Sequence, residues 1–392
     1  MNKDAMQTSN IDLFSDETLR NPNPVFAELR EMAPVVWMDK YKVWAITRYD
    51  DVRDALSNTE VFSSTKVAFN DVMNEALKGT SLATDPPEHA QLRKTLLAPL
   101  TPIALKKIQD DITKKAETMI AGVVEKGSFD AIEDVARAFP LEVVTDMLGV
   151  QGEAREKVLL WGDAAFNVLG PMNQRAAENL PLAGELFEFC ANVKPEELTE
   201  GSLGRGIFEA ADRGEIARES CGPIIHQYIA AGLESTIAAI GNTLKHLAAN
   251  PDQYALLVND PSLVRSAFNE SLRLEGPLGL IGRLVMQDVV IGDTKIPAGS
   301  QVALMLASAN RDPRKFENPD QYLVTRNASA QLSFGSGVHS CAGQNLARIE
   351  ANAILSAFVR RIKSFKAGEP EIKLANMTRS LNSLPVLSVE TV

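Results

Sequence analysis

The stretch FGSGVHSCAGQNLARIEA, Phe334 to Ala351, sets Cys341, one of three cysteines in 392 residues, between a glycine-rich loop and an amphipathic run. Leu346, Ile349, Ala353 and Ile354 recur after it at helical spacing, so the cysteine stands at or just before a helix start. Unpaired N–H groups and the positive end of the helix dipole favour a thiolate there, and a thiolate is both a nucleophile and a soft metal ligand. Gly335, Gly337 and Gly343 remove side chains from around the sulfur and let a flat, bulky group approach the backbone. A second cluster lies mid-chain in YIAAGLESTIAAIGNT, where Glu234, Ser235 and Thr236 interrupt a run that is otherwise apolar on nearly all sides. A helix apolar all round is buried, so a carboxylate and two hydroxyls in its middle need a reason. The plainer alternatives are a packed free cysteine in a turn and hydroxyls that bond their own helix backbone.

Helical periodicity dominates the elements that must position these residues. Residues near 24–33, 50–57, 87–97, 102–125 and 131–148 read as amphipathic helices broken by Pro, Gly or Asp-rich turns. The longest pattern runs from about Ile216 to Ala249, a rod of about 50 Å at about 1.5 Å per residue. Residues 34–47 and 284–304 read as short strands with turns at Asp39-Lys40, Gly292-Asp293 and Ala298-Gly299, and a further strand pair falls near 370–390. With no internal repeat or low-complexity linker, the expectation is one domain over 1–392, mainly α with a smaller β part, its first twenty or so residues loosely ordered.

Forty Lys+Arg against fifty-one Asp+Glu leave a net charge of −11, which argues against non-specific nucleic-acid binding. The first twenty residues are polar and acidic without an apolar core, and no run approaches the ~18 apolar residues of a spanning helix, so neither signal peptide nor membrane anchor is expected. Cys190, Cys221 and Cys341, like the four histidines, are scattered; the pattern fits neither a disulfide framework nor a zinc site, and a cytoplasmic, reducing compartment is expected.

The sequence FGSGVHSCAG resembles the heme-thiolate signature of the cytochrome P450 family, Phe-x-x-Gly-x-His/Arg-x-Cys-x-Gly, matched at Phe334, Gly337, His339, Cys341 and Gly343. Other family motifs follow in order. The resemblance implies the P450 fold, with heme b between a long central helix and the cysteine loop, and Cys341 as axial iron ligand. DPPEHAQLRK is similar to the helix that grips a heme propionate, giving His89 and Arg93, with Arg283 and His339 as further propionate partners. Two carboxylates entering an apolar core must be paired or they cost several kcal/mol each. NESLR supplies Glu270 and Arg273, which in the family form a structural charge network completed here by Arg326. AGLEST resembles the oxygen-activating stretch, with Glu234 at the acid position and Ser235 replacing the usual threonine. A groove at Gly232 would leave room for dioxygen, and Glu234, Ser235 and Thr236 would relay protons to it. Serine keeps the hydroxyl without the methyl that restrains its rotamer.

The resemblance lines the substrate pocket with Leu82, Phe166, Leu169, Gln227, Ala230, Ala231, Leu278, Leu280, Ile281 and Leu381, nearly all apolar, which fits a compact apolar or aromatic substrate. AFNVLGPMNQR, SANRDPR and SLNSLPV are similar to bacterial enzymes that O-demethylate para-methoxybenzoates, which implies oxidative demethylation of a methoxy-aromatic. Carboxylate-binding members are expected to carry hydroxyls on the central helix and a cation above the pocket; here Gln227 and Ala230 stand in those helix positions, and Lys78 is the nearest cation in sequence. A neutral guaiacol-type phenol therefore fits as well as a benzoate. No flavin or iron–sulfur motif is found, so electrons are expected from NAD(P)H through a ferredoxin reductase and an acidic ferredoxin docking at Lys94, Lys106, Lys107 and Arg348. The alternatives are hydroxylation of another small hydrophobic molecule, a peroxide-driven enzyme, and a heme-thiolate binding protein without turnover.

Overall fold

Alternating apolar residues on either side of Asp39-Lys40 fold into the expected hairpin, Val35–Met38 against Val43–Ile46, with Val36 opposite Ala45. In the computed structural model, which describes residues 6–392, this hairpin is part of a six-stranded sheet. Gln301–Leu304 pairs in parallel with Val43–Ile46 and antiparallel with Ile281–Val285, placing Arg283 opposite Val302. The opposite edge is Thr8–Ser9, beside Trp37 and Met38. The N-terminal stretch expected to be loosely ordered is thus tied down from Thr8 onward: it pairs with a strand, buries Leu13 and Phe14, and starts the helix Asp16–Arg20 at a Ser15 cap. Residues 1–5 lie outside the described residues.

Helices make up the greater part of the chain. Pro102–Lys126 begins at Thr101, whose hydroxyl accepts the Ala104 N–H, and stops at Gly127, whose φ of +74° a side chain would disfavour. Its buried stripe of Ile112, Ala116, Ile120 and Val123 packs on Gln344–Arg361, the helix that follows Cys341. A π-helical stretch, Ile132–Arg137, leads into Ala138–Leu148. Gly152–Asn167 and Gln174–Asn192 pack on each other and on the central helix. The loop between them is fastened by two amides: Asn70 donates to the Val168 and Gly170 carbonyls, both at 2.7 Å, and Asn376 donates to the Asn167 carbonyl at 2.9 Å.

The central rod differs from the expectation. It is two helices, Cys221–Gly232 and Glu234–Ala249, meeting at Leu233 (φ −99°, ψ −69°), and Arg218–Ser220 forms a separate 3-10 turn. The sequence at the break explains it. Ser235 Oγ donates to the Ala231 carbonyl (2.7 Å) and Thr236 Oγ1 to the Gly232 carbonyl (3.1 Å), and hydroxyls that bond a carbonyl four residues back bend helices.

Candidate active site

A cavity of about 300 Å³ lies between the central helix and the cysteine loop. Cys341 opens onto it, its backbone N–H held by the Phe334 carbonyl at 2.7 Å. The sulfur is open to the cavity, yet the protein packed around it desolvates the thiol and raises it above its usual value, against the backbone N–H groups of Gly343 and Gln344 and the Arg93 and Arg348 guanidiniums, all of which favour the thiolate. Gly343 does face open space, but the other two glycines serve the loop itself. A side chain on Gly337 would run into Ser57, and Gly335 and Gly337 have φ near +70°.

Basic side chains gather beside the sulfur end of the cavity. Arg283 is buried with its Nε unpartnered, and burial pulls the guanidinium down to about 10. His89 is buried with Nε2 unpartnered and packs against the His339 ring at 4.2 Å. His339 Nε2 lies 3.1 Å from Asp85 Oδ1; burial, Arg283 and His89 lower it to about 4. Arg93 donates to the Ser340 carbonyl. Asp85 is already engaged by Ser63 and the Ser64 N–H.

On the central helix, Gln227, Ala230, Ala231, Ser235 and Thr236 line the same cavity, and a side chain on Gly232 would meet nothing within 4 Å. Glu234 does not line it. Beyond the break its carboxylate is turned away and receives Lys373 Nζ at 2.9 Å and Ser380 Oγ at 3.2 Å; the same ammonium lies 2.9 Å from Asp163 on Gly152–Asn167. Burial pushes the Glu234 carboxyl above the usual carboxylate range, with Lys373 acting in the opposite sense.

A family model described as Cytochrome P450 matches residues 223–385. Cytochrome P450 CYP199A2 of Rhodopseudomonas palustris is 36% identical over 96% of this chain and 93% of its own length. The chain is a cytochrome P450. Vitamin D(3) 25-hydroxylase of Pseudonocardia autotrophica is similar at 31% identity, over 97% of this P450 and 96% of its own length. Among solved structures, P450BioI in complex with an acyl carrier protein ligated to hexadec-9Z-enoic acid superposes with a TM-score of 0.86 at 26% identity, covering 96% of this chain and 100% of that one.

The P450 is therefore a heme-dependent monooxygenase of the oxidoreductase class, with heme b as cofactor. The residues present fit that group. Among the described residues no cluster of three His, Cys, Asp or Glu side chains could hold a metal by itself, whereas a thiol faces a largely apolar cavity beside two buried nitrogens without partners, Arg283 Nε and His89 Nε2. The Arg93 and Arg283 guanidiniums with the His89 and His339 imidazoles offer N–H donors beside an apolar space, and a flat apolar ring carrying two carboxylates matches the set. No helix among the described residues is long and apolar enough to cross a membrane.

Of the expected pocket residues, Leu82, Phe166, Leu169, Leu278 and Ile281 line the cavity with the central-helix positions. Leu280 and Leu381 do not: Leu280 packs with Phe14 and Phe26, and Leu381 belongs to the main helical core. Met377 lines the C-terminal side in place of Leu381. Lys78 pairs with Glu75 at the surface, at 2.5 Å, and is no part of the lining. Glu270 and Arg273 are fully buried in a two-toothed pair (2.8 and 2.9 Å) joined by Arg326 at 2.9 Å, and Arg273 also satisfies the Asn310 and Pro319 carbonyls. None of the three reaches the cavity; they fix the segment before the cysteine loop.

Sequence reasoning missed Ser81, His226 and Glu350, all of which line the cavity. Glu350 is fully buried with both oxygens unpartnered, and burial holds its carboxyl well above the usual range. A signal was present: position 350 shares a helix face with Leu346, Ala353 and Ile354.

Proposed function

We propose that this P450 removes methyl groups oxidatively from small methoxy-aromatic compounds, taking electrons from NAD(P)H through a reductase and an acidic ferredoxin. The observation that carries the reading is one continuous cavity holding the Cys341 thiol, the Ser235 and Thr236 hydroxyls and an apolar chamber of Phe166, Leu169, Leu278 and Ile281. Two of those apolar residues, Phe166 and Leu169, come from AFNVLGPMNQR, the run similar to the para-methoxybenzoate demethylases.

Heme, when bound, supplies the reductive activation of dioxygen, and a thiolate ligand favours that chemistry. The chain's own residues hold, orient and protonate. In this reading Cys341 holds the iron, with Phe334 packing over the loop beneath the Arg348 guanidinium (4.4 Å) and Gly343 leaving the ring face clear. His89, Arg93, Arg283 and His339 hold the propionates. The open side of Gly232 admits dioxygen, and the Ser235 hydroxyl, on the cavity wall, turns from its helix carbonyl to a proton acceptor. Glu234 supplies protons from behind the helix: Asp163, partly exposed, Lys373 and Glu234 form a file of titratable groups leading inward. That position counts against a peroxide-driven reaction with Glu234 as direct acid–base. Oxygen insertion at a methoxy carbon gives a hemiacetal, which collapses to formaldehyde and a phenol.

Lys94, Lys106 and Lys107 are exposed and Arg348 half-buried, which suits a docking face for an acidic donor; reduction should then slow as salt rises. Three free cysteines, two of them buried, agree with a cytoplasmic site of action. Turnover of a methoxy-aromatic panel with ferredoxin, reductase and NADH should release formaldehyde in step with product. Ring hydroxylation without formaldehyde would replace demethylation by another hydroxylation.

A further inference from the structure

Away from the cysteine end, where Arg93, Arg283, His339 and Glu350 gather, the cavity wall is mostly apolar but for the hydroxyls at the oxygen end and one polar patch. Ser81, in the segment after the helix Asp71–Ala76, donates its hydroxyl to Gln227 Oε1, and Gln227 Nε2 donates to the Pro223 carbonyl at 3.0 Å. His226, next in the chain, is stacked on Phe187 with centroids 4.3 Å apart and planes 21° from parallel. Ser81, Phe187, His226 and Gln227 all line the cavity. Among the described residues no hydrogen bond engages the His226 ring nitrogens. Gln227 stands five residues before the end of its helix at Gly232, about 7.5 Å along it, and Ser235 follows beyond the break. The span suits one ring with a polar group at one end and the carbon to be oxidised at the other.

We propose that Ser81, Gln227 and His226 form the recognition point for the far end of the substrate, and that this end is a neutral group offering both a hydrogen-bond donor and an acceptor, such as a phenol hydroxyl or a carboxamide, rather than a carboxylate. The inference rests on the methoxy-aromatic reading and narrows it. The donor–acceptor count supports it. After its contacts with Ser81 and Pro223, Gln227 retains one N–H and one lone pair, Ser81 can accept, and a neutral imidazole offers one donor and one acceptor. Burial holds His226 down to about 4, so it is uncharged at neutral pH. The arginines that line the cavity belong to the cysteine end: Arg93 is bonded to the residue preceding Cys341, and Arg283 lies in the field of Asp85 and His339. A carboxylate at the Gln227 end would be desolvated without a cation, whereas a neutral polar group loses little.

The test compares three ligands of one shape, para-methoxybenzamide, para-methoxybenzoate and para-methoxytoluene. Dissociation constants are read from the spin-state absorbance change of the holoenzyme, and formaldehyde is assayed alongside. The amide should bind at least tenfold more tightly than the benzoate. Ser81→Ala and Gln227→Leu should each weaken the amide at least tenfold relative to methoxytoluene, whose unchanged binding shows an intact pocket. Benzoate binding as tightly as the amide, or an amide-to-toluene ratio unmoved by both substitutions, overturns the proposal. Formaldehyde released equally from amide and benzoate leaves demethylation standing while the recognition point falls. The reverse, neutral preference without formaldehyde, removes demethylation and keeps the recognition point. No binding of any of the three overturns both.

Discussion

Replacing Lys373 by methionine is the sharpest probe of the charge file behind the central helix. Lys373 Nζ lies 2.9 Å from Glu234 Oε1 and 2.9 Å from Asp163 Oδ1. Methionine keeps most of the aliphatic stem and removes both ion pairs. Breaking a buried pair from one side costs about 3–5 kcal/mol. The low end applies here, because the Asp163 side chain is 28% exposed and Glu234 can take up a proton. At about 2.1 cal/mol/K of unfolding entropy per residue over 392 residues, a loss of about 3 kcal/mol lowers Tm by about 4 °C. The sign of the pH dependence is fixed. Glu234 keeps its proton in the folded protein to higher pH than in the unfolded chain, so its contribution to stability falls as pH rises above the ordinary value of 4.5. Removing Lys373 weakens the folded acid further, and each tenfold weakening costs about 1.4 kcal/mol once the pH lies above its titration. The deficit should be larger at pH 8 than at pH 5, because the proton Glu234 must lose is held more tightly without Lys373. Glu234→Gln in the Lys373→Met background should recover most of the loss at pH 8. Thermal melts of the holoprotein at both pH values, for the two single variants and the double, decide the matter. A deficit below about 1 kcal/mol at pH 8, a deficit that ignores pH, or one that Glu234→Gln leaves in place would refute the reasoning.

Ser235→Ala should release more hydrogen peroxide and less product per NAD(P)H consumed; unchanged coupling would leave the hydroxyl as a helix-bending group alone. If Arg283 holds a propionate as proposed, Arg283→Met removes a contact of about 1.5–3 kcal/mol, so heme should pass to an apo-acceptor about ten to a hundred times more readily, read from the Soret band. Glu350 holds its proton more tightly folded than unfolded, so its burden on stability grows as pH rises above 4.5. Glu350→Gln should therefore match the parent near pH 4 in denaturant titrations and exceed it by more than about 1 kcal/mol at pH 8, since a tenfold difference in acidity between the two states is already worth about 1.4 kcal/mol.

The parts of the site that were legible in sequence are those carried by short contiguous motifs. Cys341 with its loop, the Ser235 and Thr236 pair, and His89 with Arg93 are each fixed by neighbours a few residues away, so spacing alone places them together. Strand faces were less legible. Leu280 and Ile281 are adjacent at the start of a strand, and successive side chains on a strand face opposite ways; Ile281 reaches the cavity and Leu280 the N-terminal core. Contacts between distant segments were not legible at all. Lys373 meets Glu234 across 139 positions and Ser81 meets Gln227 across 146, and neither lysine nor serine in a loop announces such a partner.

The break at Leu233 links these observations. In an unbroken helix Glu234 would share a face with Gln227, Ala230 and Ala231, seven, four and three residues before it, and its carboxylate would project into the chamber that holds the thiol. There it would oppose the other negative charges, the thiolate and the propionates, in a low-dielectric space where like charges repel strongly. The break at Leu233 sends the carboxylate to Lys373 and Ser380 and leaves the uncharged Ser235 and Thr236 hydroxyls facing the cavity. The same hydroxyls, by bonding the Ala231 and Gly232 carbonyls, bend the helix there. Ser235 thus acts twice, as a cause of the bend and as the polar group the bend presents. It follows that removing both hydroxyls, with Ser235→Ala and Thr236→Val together, should straighten the helix at this point and swing Glu234 back toward the chamber, an effect distinct from the simple loss of a proton donor.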